Sequence, residues 1–193
     1  MTKVNMIVAI GPDNIIGYSD KLAWHSKLDL QHFKETTKGC PVIFGATTFF
    51  GLPKYPLPNR LNIVLDNSES KVFAVNAVCD KKDNKWRGWV EATSVENALD
   101  FCGNFDNVFI CGGASIYKYC LENNLIDCAY ITKVQCQLED RNDYIKFPFD
   151  INTYLHYEKW DAKLEEVVLD DNTRLEFWKY IKKNKQVLNK VSL

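Results

Sequence analysis

At 193 residues the chain is long enough for one full-sized domain with its own core. Hydrophobic residues make 46% of it, aromatics 13%, and the net charge is −1, so it is neither a disordered chain nor one whose whole surface suits nucleic acid. No apolar run nears the ~20 residues of a membrane helix, the short apolar run after Met1 lacks the length and cleavage site of a secretory signal, and the seven cysteines form no CxxC pair. Free thiols in a reducing cytoplasm are expected, with no zinc site and no membrane partner.

Along the chain, "VNMIVAI" (4–10) reads as a buried strand closed by the turn signal "GPDN". "SKLDLQHFKETTKG" (26–39) reads as a helix with Ser26 as N-cap, Asp29 in the first turn and Gly39 as the stop. "CPVIFG" is a second buried strand, "ATTFFGL" a short helix that "PKYPLPN" ends, "RLNIVLD" a third strand and "KVFAVNAV" (71–78) a fourth. "KKDNKWRG" (81–88) reads as a polar turn, "WVEAT" as a short strand and "SVENALDFCG" as a serine-capped helix. "NVFIC" is again a strand, "GGASIYKYCLENN" leads into a helix, and "CAYITKVQCQ" is a strand. Alternating stretches around "YLHYEKWDA" (154–162) and "TRLEFWKYIKK" (173–183), joined at "LDDN", read as an antiparallel hairpin. The expectation is a single-domain α/β fold over 1–182. It has a mostly parallel central sheet, a C-terminal antiparallel hairpin and about four flanking helices. Residues 183–193 follow as a short basic tail, read as a solvated end.

Ligands of such sheets bind beyond the carboxyl ends of the strands. Two strand-to-helix turns stand there. One has Gly45 followed by Thr47 and Thr48; the other has Gly112-Gly113 followed by Ala114 and Ser115. Glycine lets a ligand approach the backbone, and a helix start offers unpaired N–H groups, so the two turns suit two phosphates of one dinucleotide. Neither is a GxGxxG or a Walker motif. Asp29 lies between two leucines, and on a helix it shares a face with Phe33, flanked by Leu30. Such a carboxylate is costly unless paired or used; the bland reading is an acid that complements the helix dipole.

The stretch "MIVAIGPDNIIGYSDKLAWHSKLDLQHFKETTKGCPVIFGATTF" resembles the N-terminal third of dihydrofolate reductases, with Ile7, Ile16-Gly17, Trp24 and, five residues on, Asp29 in the family's order. "PLPNRLNIVLD" is similar to the family's strand entry, with Arg60 and Asn62. "ICGGASIYK" resembles its glycine pair and helix with Tyr117, and "YITKV" carries the matching Thr132. The resemblance spans residue 4 to about 180. It implies reduction of 7,8-dihydrofolate to tetrahydrofolate with hydride from NADPH, in support of one-carbon and thymidylate metabolism. Dihydrofolate and antifolates are the implied small-molecule partners, with no nucleic acid, in a cytoplasmic enzyme working as a monomer.

By the same resemblance, Asp29 accepts the pterin's amino group and ring N–H side by side and polarises the ring, Thr132 hydrogen-bonds Asp29, and Trp24 holds a water near the site. Leu22 sits near the tip of a loop, Gly17 to Trp24, that closes over the nicotinamide. Ile7, Val8, Leu30, Phe33 and Leu52 form the slot for the substrate rings, with plain core an equal reading for Ile7 and Val8; Arg60 pairs with the glutamate tail. Ala9, Ile16, Gly17, Gly45, Thr47, Thr48, Leu65, Asp66, Cys111, Gly112, Gly113, Ala114, Ser115, Ile116 and Tyr117 line the cofactor; no metal is implied.

The chain departs from the family pattern in three places. Ala23 stands where proline usually precedes the tryptophan. Ala46 and Thr47 stand where a basic residue usually faces the cofactor phosphates. Asp66 and Asn67 stand where serine or arginine often meets the adenosine 2′-phosphate. An acid there favours a free ribose hydroxyl, so NADH is the second cofactor to test, although Ser68 and Lys71 remain nearby. Competing readings are another pterin or pyrimidine reductase on the same fold, such as that of riboflavin biosynthesis, and a folate- or nucleotide-binding homologue without catalysis.

Overall fold

The computed structural model describes residues 1–19, 21–66, 77–80, 85–156, 159–171 and 173–183. In chain order the elements are β1 (Lys3–Ile10), a 3-10 turn (Pro12–Asn14), β2 (Ile15–Tyr18), α1 (Lys27–Thr36), β3 (Val42–Gly45), α2 (Ala46–Phe50) and β4 (Asn62–Leu65). There follow β5 (Val78–Asp80), β6 (Lys85–Arg87), β7 (Trp89–Ala92), α3 (Val95–Asp100), β8 (Asn107–Ile110), α4 (Ala114–Glu122) and β9 (Cys128–Gln135). The chain ends with β10 (Tyr144–Lys146), α5 (Ile151–Tyr154), β11 (Trp160–Asp170) and β12 (Thr173–Lys182).

Eight strands form one sheet in the order β11-β12-β9-β1-β8-β3-β4-β7. The five pairings from β9 to β7 are parallel, and the two that β12 makes are antiparallel. The long apolar runs explain this order. Strands buried on both faces need helices above and below, and β1, β3 and β8 are buried along nearly their whole length. Alternation along β1 divides the core. Met6, Val8 and Ile10 face α3, α4 and α5 with Val95, Ala98, Ile116 and Cys120, whereas Ile7 faces Phe44, Phe49 and Val64 together with Phe33 of α1.

The hairpin, the parallel sheet and the flanking helices match the sequence reading, with five helices among the described residues. Three local expectations are corrected. Tyr154 belongs to α5, and the first hairpin strand begins at Trp160, because Asp150 caps a short helix by accepting from Thr153 N. Residues 85–87, read as turn, form β6 against β5. A two-stranded ribbon, β2 with β10, was not expected. Most of the strand expected at 71–78, the residues from Lys81 to Asn84, Asn67, Ser68, Lys71, and the tail beyond Lys183 lie outside the described residues. Cys40, Cys102, Cys111, Cys120, Cys128 and Cys136 form no disulfide; burial pushes the Cys102 and Cys120 thiols up to about 12, so neither is a nucleophile at neutral pH.

Candidate active site

Ser26 starts α1 as its N-cap and accepts from Asp29 N at 3.1 Å. The Asp29 backbone is thereby satisfied by a neighbour, which leaves its carboxylate free to turn towards the sheet. The Ser26 hydroxyl donates to Asp170 Oδ2 at 2.5 Å, and Leu28 N donates to the same oxygen at 3.2 Å. The tip of the β11–β12 hairpin is therefore tied to the first turn of the helix that carries Asp29.

Across the sheet, Ala9 of β1, Thr132 of β9, Phe177 of β12 and Glu166 of β11 stand opposite one another in register. Thr132 is buried, and its partner on α1 is Asp29. Burial pushes the Asp29 carboxyl above its ordinary value; hydrogen bonding from Thr132, the nearby His32 and the Trp24 N–H each pull it back down. The Trp24 contact is looser than a hydrogen bond: Nε1 is buried and has no acceptor in hydrogen-bond geometry. Trp24 fits there only because residue 11 is glycine, since a Cβ on Gly11 would lie 2.8 Å from Trp24 Cζ3.

Ile7 (buried), Phe33 and Leu52 belong to one cluster with the buried Cys111, which stands at the end of β8. Val8 is corrected: its side chain points to the opposite face and packs with Met6 and Ile116, because alternate residues of a strand face opposite ways. Leu30 is half exposed at 45%, at the rim of the slot rather than in its wall. Leu22 is 56% exposed at the loop tip.

Arg60 is almost wholly buried, and among the described residues it has no carboxylate partner. Its Nη1 donates to Thr37 Oγ1 at 2.8 Å, its Nε donates to Pro58 O at 3.1 Å, and its guanidinium lies 5.8 Å from the Phe33 ring centroid. Asn62 shapes the turn that presents it, donating to Leu57 O and Arg60 O and accepting from Leu57 N, all at 2.9 Å.

The two glycine turns lie side by side: Gly45 N donates to Gly112 O at 2.8 Å. Gly112 has φ of +116°, the peptide bond to Gly113 is cis, and a Cβ on Gly113 would lie 2.8 Å from Thr48 Oγ1. The turn is therefore a backbone-only surface. No side chain caps α4, which leaves its first N–H groups open to an anion. Beneath the turn, the Tyr117 hydroxyl donates to Ile7 O at 2.8 Å, and Ile116 fills the space under Gly45; both side chains belong to the core, not to the ligand surface. Ala114 and Thr48 are half-buried at the turns, while Thr47 and Ser115 are exposed. Leu65 ends β4, and the next residue, Asp66, donates from its N to Ala92 O. Ala9 and Ile16 are half-buried, and Gly17 is buried within β2. The donor set fits a dinucleotide: a cradle of glycine backbone flanked by the Thr48 hydroxyl, open N–H groups at the start of α4, and the end of β4.

Sequence reasoning missed Gly11, His32, Phe177, Arg141 and Asp143. The last two hold Ser19, which follows β2. Asp143 accepts from Ser19, and Arg141 holds Asp143 through two bonds of 2.8 and 2.6 Å. Their signal was the charge run "EDRND", which reads as an ordinary solvated turn. A polar cleft between the Gly11–Asn14 turn, the end of β9 and the start of α5 lies outside this arrangement.

A half-buried carboxylate on the first turn of α1, a buried arginine beside the Phe33 ring one turn further along, and a dinucleotide cradle define a class: α/β reductases that anchor a nitrogen heterocycle beside a nucleotide cofactor. Comparison with known proteins narrows it. A family model described as dihydrofolate reductase matches residues 3–182. The dihydrofolate reductase of Haemophilus influenzae is 30% identical over 162 residues, covering 84% of this chain and 86% of its own length. That of Bacillus subtilis is 29% identical over 181 residues, covering 94% and 95%. A solved dihydrofolate reductase from Enterococcus faecalis, complexed with NADP(H) and RAB-propyl, superposes with a TM-score of 0.71 at 24% identity, covering 94% of this chain and 97% of its own. The chain belongs to the dihydrofolate reductase family.

Proposed function

We propose that the chain reduces 7,8-dihydrofolate to 5,6,7,8-tetrahydrofolate with NADPH as reductant, and that Asp29 anchors the pterin. The observation that carries this is Asp29 itself, a carboxylate pressed against Thr132 and Trp24 on the edge of an otherwise apolar slot. An ionised carboxylate accepts the pterin's amino group and ring N–H together and fixes the ring's orientation. Its negative charge also favours protonation of the ring nitrogen next to the carbon that is reduced. The buried Trp24 N–H, which has no acceptor in hydrogen-bond geometry among the described residues, is placed to hold the water that delivers this proton. Ile7, Phe33 and Leu52 sandwich the rings, and Arg60 takes the α-carboxylate of the glutamate tail with the donors left over from Thr37 and Pro58.

The cofactor is assigned to Gly45, Thr48, Gly112, Gly113 and the start of α4, with Leu65 and Asp66 at the ribose and Ala9, Ile16 and Gly17 at the nicotinamide end. When bound, NADPH supplies the hydride. The segment from Gly17 to Trp24 covers that end and excludes water. The same reading makes the protein a cytoplasmic monomer that binds antifolates. No helix among the described residues is long and apolar enough to cross a membrane.

The test is the loss of nicotinamide absorbance when purified protein meets dihydrofolate and NADPH. Turnover that needs both substrates and yields tetrahydrofolate supports the assignment. Folate binding with no turnover on NADPH or NADH favours the non-catalytic binding homologue and directs attention to Ala46, Thr47 and Asp66, where the chain lacks the usual cations.

A further inference from the structure

His32 lies three residues beyond Asp29 on α1, so the two side chains share a face with their Cβ atoms about 5–6 Å apart. Its imidazole stacks on Phe177, with ring centroids 4.2 Å apart and planes 29° from parallel. Phe177 stands opposite Thr132, which acts on the Asp29 carboxyl, on one side and opposite Glu166 on the other. That second pairing depends on a bulge between Leu164 and Glu166: the extra residue, Glu165, shifts the strand so that Glu166 faces Phe177. His32 is thus stacked on the ring of β12, within electrostatic reach of carboxylates on its own helix and on β11.

The groups that act on it by charge are Asp29 and Glu35 from its own helix and Glu165 and Glu166 from β11; β12 presents the neutral Phe177 ring. All four charges are carboxylates, and each favours the imidazolium. Burial opposes it and is the larger effect, holding His32 below its ordinary value. Asp29 is in the mirror position: burial raises it and His32 lowers it. Burial thus moves both groups away from their charged forms, while each charged form favours the other.

We propose that His32 is a positioning residue for Asp29: clamped on Phe177 one turn along α1, it is electrostatically coupled to the carboxylate, so that the two take up protons as a pair. As pH falls, protonation of His32 keeps Asp29 ionised further into acid than the buried carboxylate could remain alone. The pterin anchor is thereby preserved on the acid side. The functional consequence rests on the reading of Asp29 given above; the coupling itself does not.

The experiment is an NMR titration of the full chain without ligands, following the 13C carboxyl resonance of Asp29 and the imidazole resonances of His32. Wild type is compared with His32→Phe, which keeps a ring on Phe177, with His32→Gln, which keeps polarity without charge, and with Asp29→Asn. The expected result is an upward shift of the Asp29 midpoint in both His32 variants and a downward shift of the His32 midpoint in Asp29→Asn. The charge-dependent part must be equal in both directions, because coupling between two sites is reciprocal. The acid limb of dihydrofolate binding should move to higher pH in His32→Phe and His32→Gln, a shift that a purely structural role would not produce. The proposal is overturned if the Asp29 midpoint stays in place in both variants while their circular dichroism matches wild type, or if Asp29→Asn leaves His32 unmoved. Because the titration needs no turnover, a wild type that fails to reduce dihydrofolate would refute the reductase reading and leave this result standing.

Discussion

Asp143 accepts two hydrogen bonds from Ser19, one from its hydroxyl at 2.5 Å and one from its backbone N–H at 3.4 Å. Arg141 holds Asp143 through two further bonds and lies 4.4 Å from the Tyr18 ring centroid, while Lys21 pairs with Glu139 at 2.7 Å. The segment after β2, which the proposed function places over the nicotinamide end, is therefore clasped to the segment between β9 and β10 at three successive described positions, Tyr18, Ser19 and Lys21. Arg141 and Ser19 hold the Asp143 carboxyl well below the usual carboxylate range, so the clasp persists through neutral pH and fails only in strong acid, as pH falls through that depressed value. Asp143→Ala is predicted to lower kcat roughly tenfold, within the loss that a misplacement of ~1 Å can bring, with little change in Tm because the site is exposed. Stopped-flow kinetics and a thermal melt check this; an unchanged kcat would dissociate the clasp from loop closure.

Arg60 depends on Thr37. Thr37→Val leaves a buried guanidinium N–H without its partner, at a cost of about 1–3 kcal/mol in a denaturant melt. The KM for dihydrofolate should rise more than kcat falls. A substrate analogue lacking the glutamate tail should be used equally well by variant and wild type. A comparable KM rise for that analogue would place Arg60 away from the tail.

Gly113→Ala brings a Cβ within 2.8 Å of Thr48 Oγ1. The predicted cost is about 1–3 kcal/mol of stability, with weaker NADPH binding. Adding Thr48→Ala restores the space and hence the stability, while cofactor affinity stays low because the backbone-only surface is gone. Calorimetric titration and melts of both variants separate the two effects.

The parts of this fold that depend on local chemistry were legible. β1, β3, β8 and β9 are apolar runs bounded by turn residues, and α1 and α3 announce themselves through Ser26 and Ser94, each accepting from the N–H three residues on. Asp29 was legible as an anomaly, a carboxylate among leucines, and became a site only through motif order. Features made by tertiary context were not legible. β2 and β10 are strands only because they pair with each other across more than a hundred residues. Val8 and Ile7 are indistinguishable in a continuous apolar run, and only the strand's phase relative to α1 assigns one to the slot and the other to the core. Arg141 and Asp143 read as a solvated charge run until Ser19 is beside them. His32 carries no local signal at all, since its meaning comes from Phe177 on the last strand.

Asp66 directly follows β4, at the strand end that the proposed function gives to the ribose. Replacing it with arginine should raise the kcat/KM ratio of NADPH to NADH roughly tenfold or more, since a guanidinium favours a 2′-phosphate and a carboxylate a free hydroxyl. Wild type should discriminate less than the variant. A ratio that does not change on Asp66→Arg would place the 2′-position elsewhere.

Asp29 has a stability signature of its own. Its folded pKa is raised above the ordinary 3.8, chiefly by burial. Between those two values the native state binds more protons than the unfolded chain, so stability falls as pH rises through that window and stays lower above it. Asp29→Asn without ligand should therefore melt higher than wild type at pH 7, and the gap should close below about pH 4. A variant that melts lower at pH 7 would show that the hydrogen bond from Thr132 outweighs the burial of charge.

The most direct test of the central claim is the steady-state rate of dihydrofolate reduction at saturating NADPH for wild type and Asp29→Asn side by side. The account predicts robust turnover by wild type and a fall in kcat/KM of roughly 10²–10⁴-fold in the variant, with the fold intact and NADPH still bound. A variant that turns over at the wild-type rate would contradict it and remove Asp29 from the chemistry.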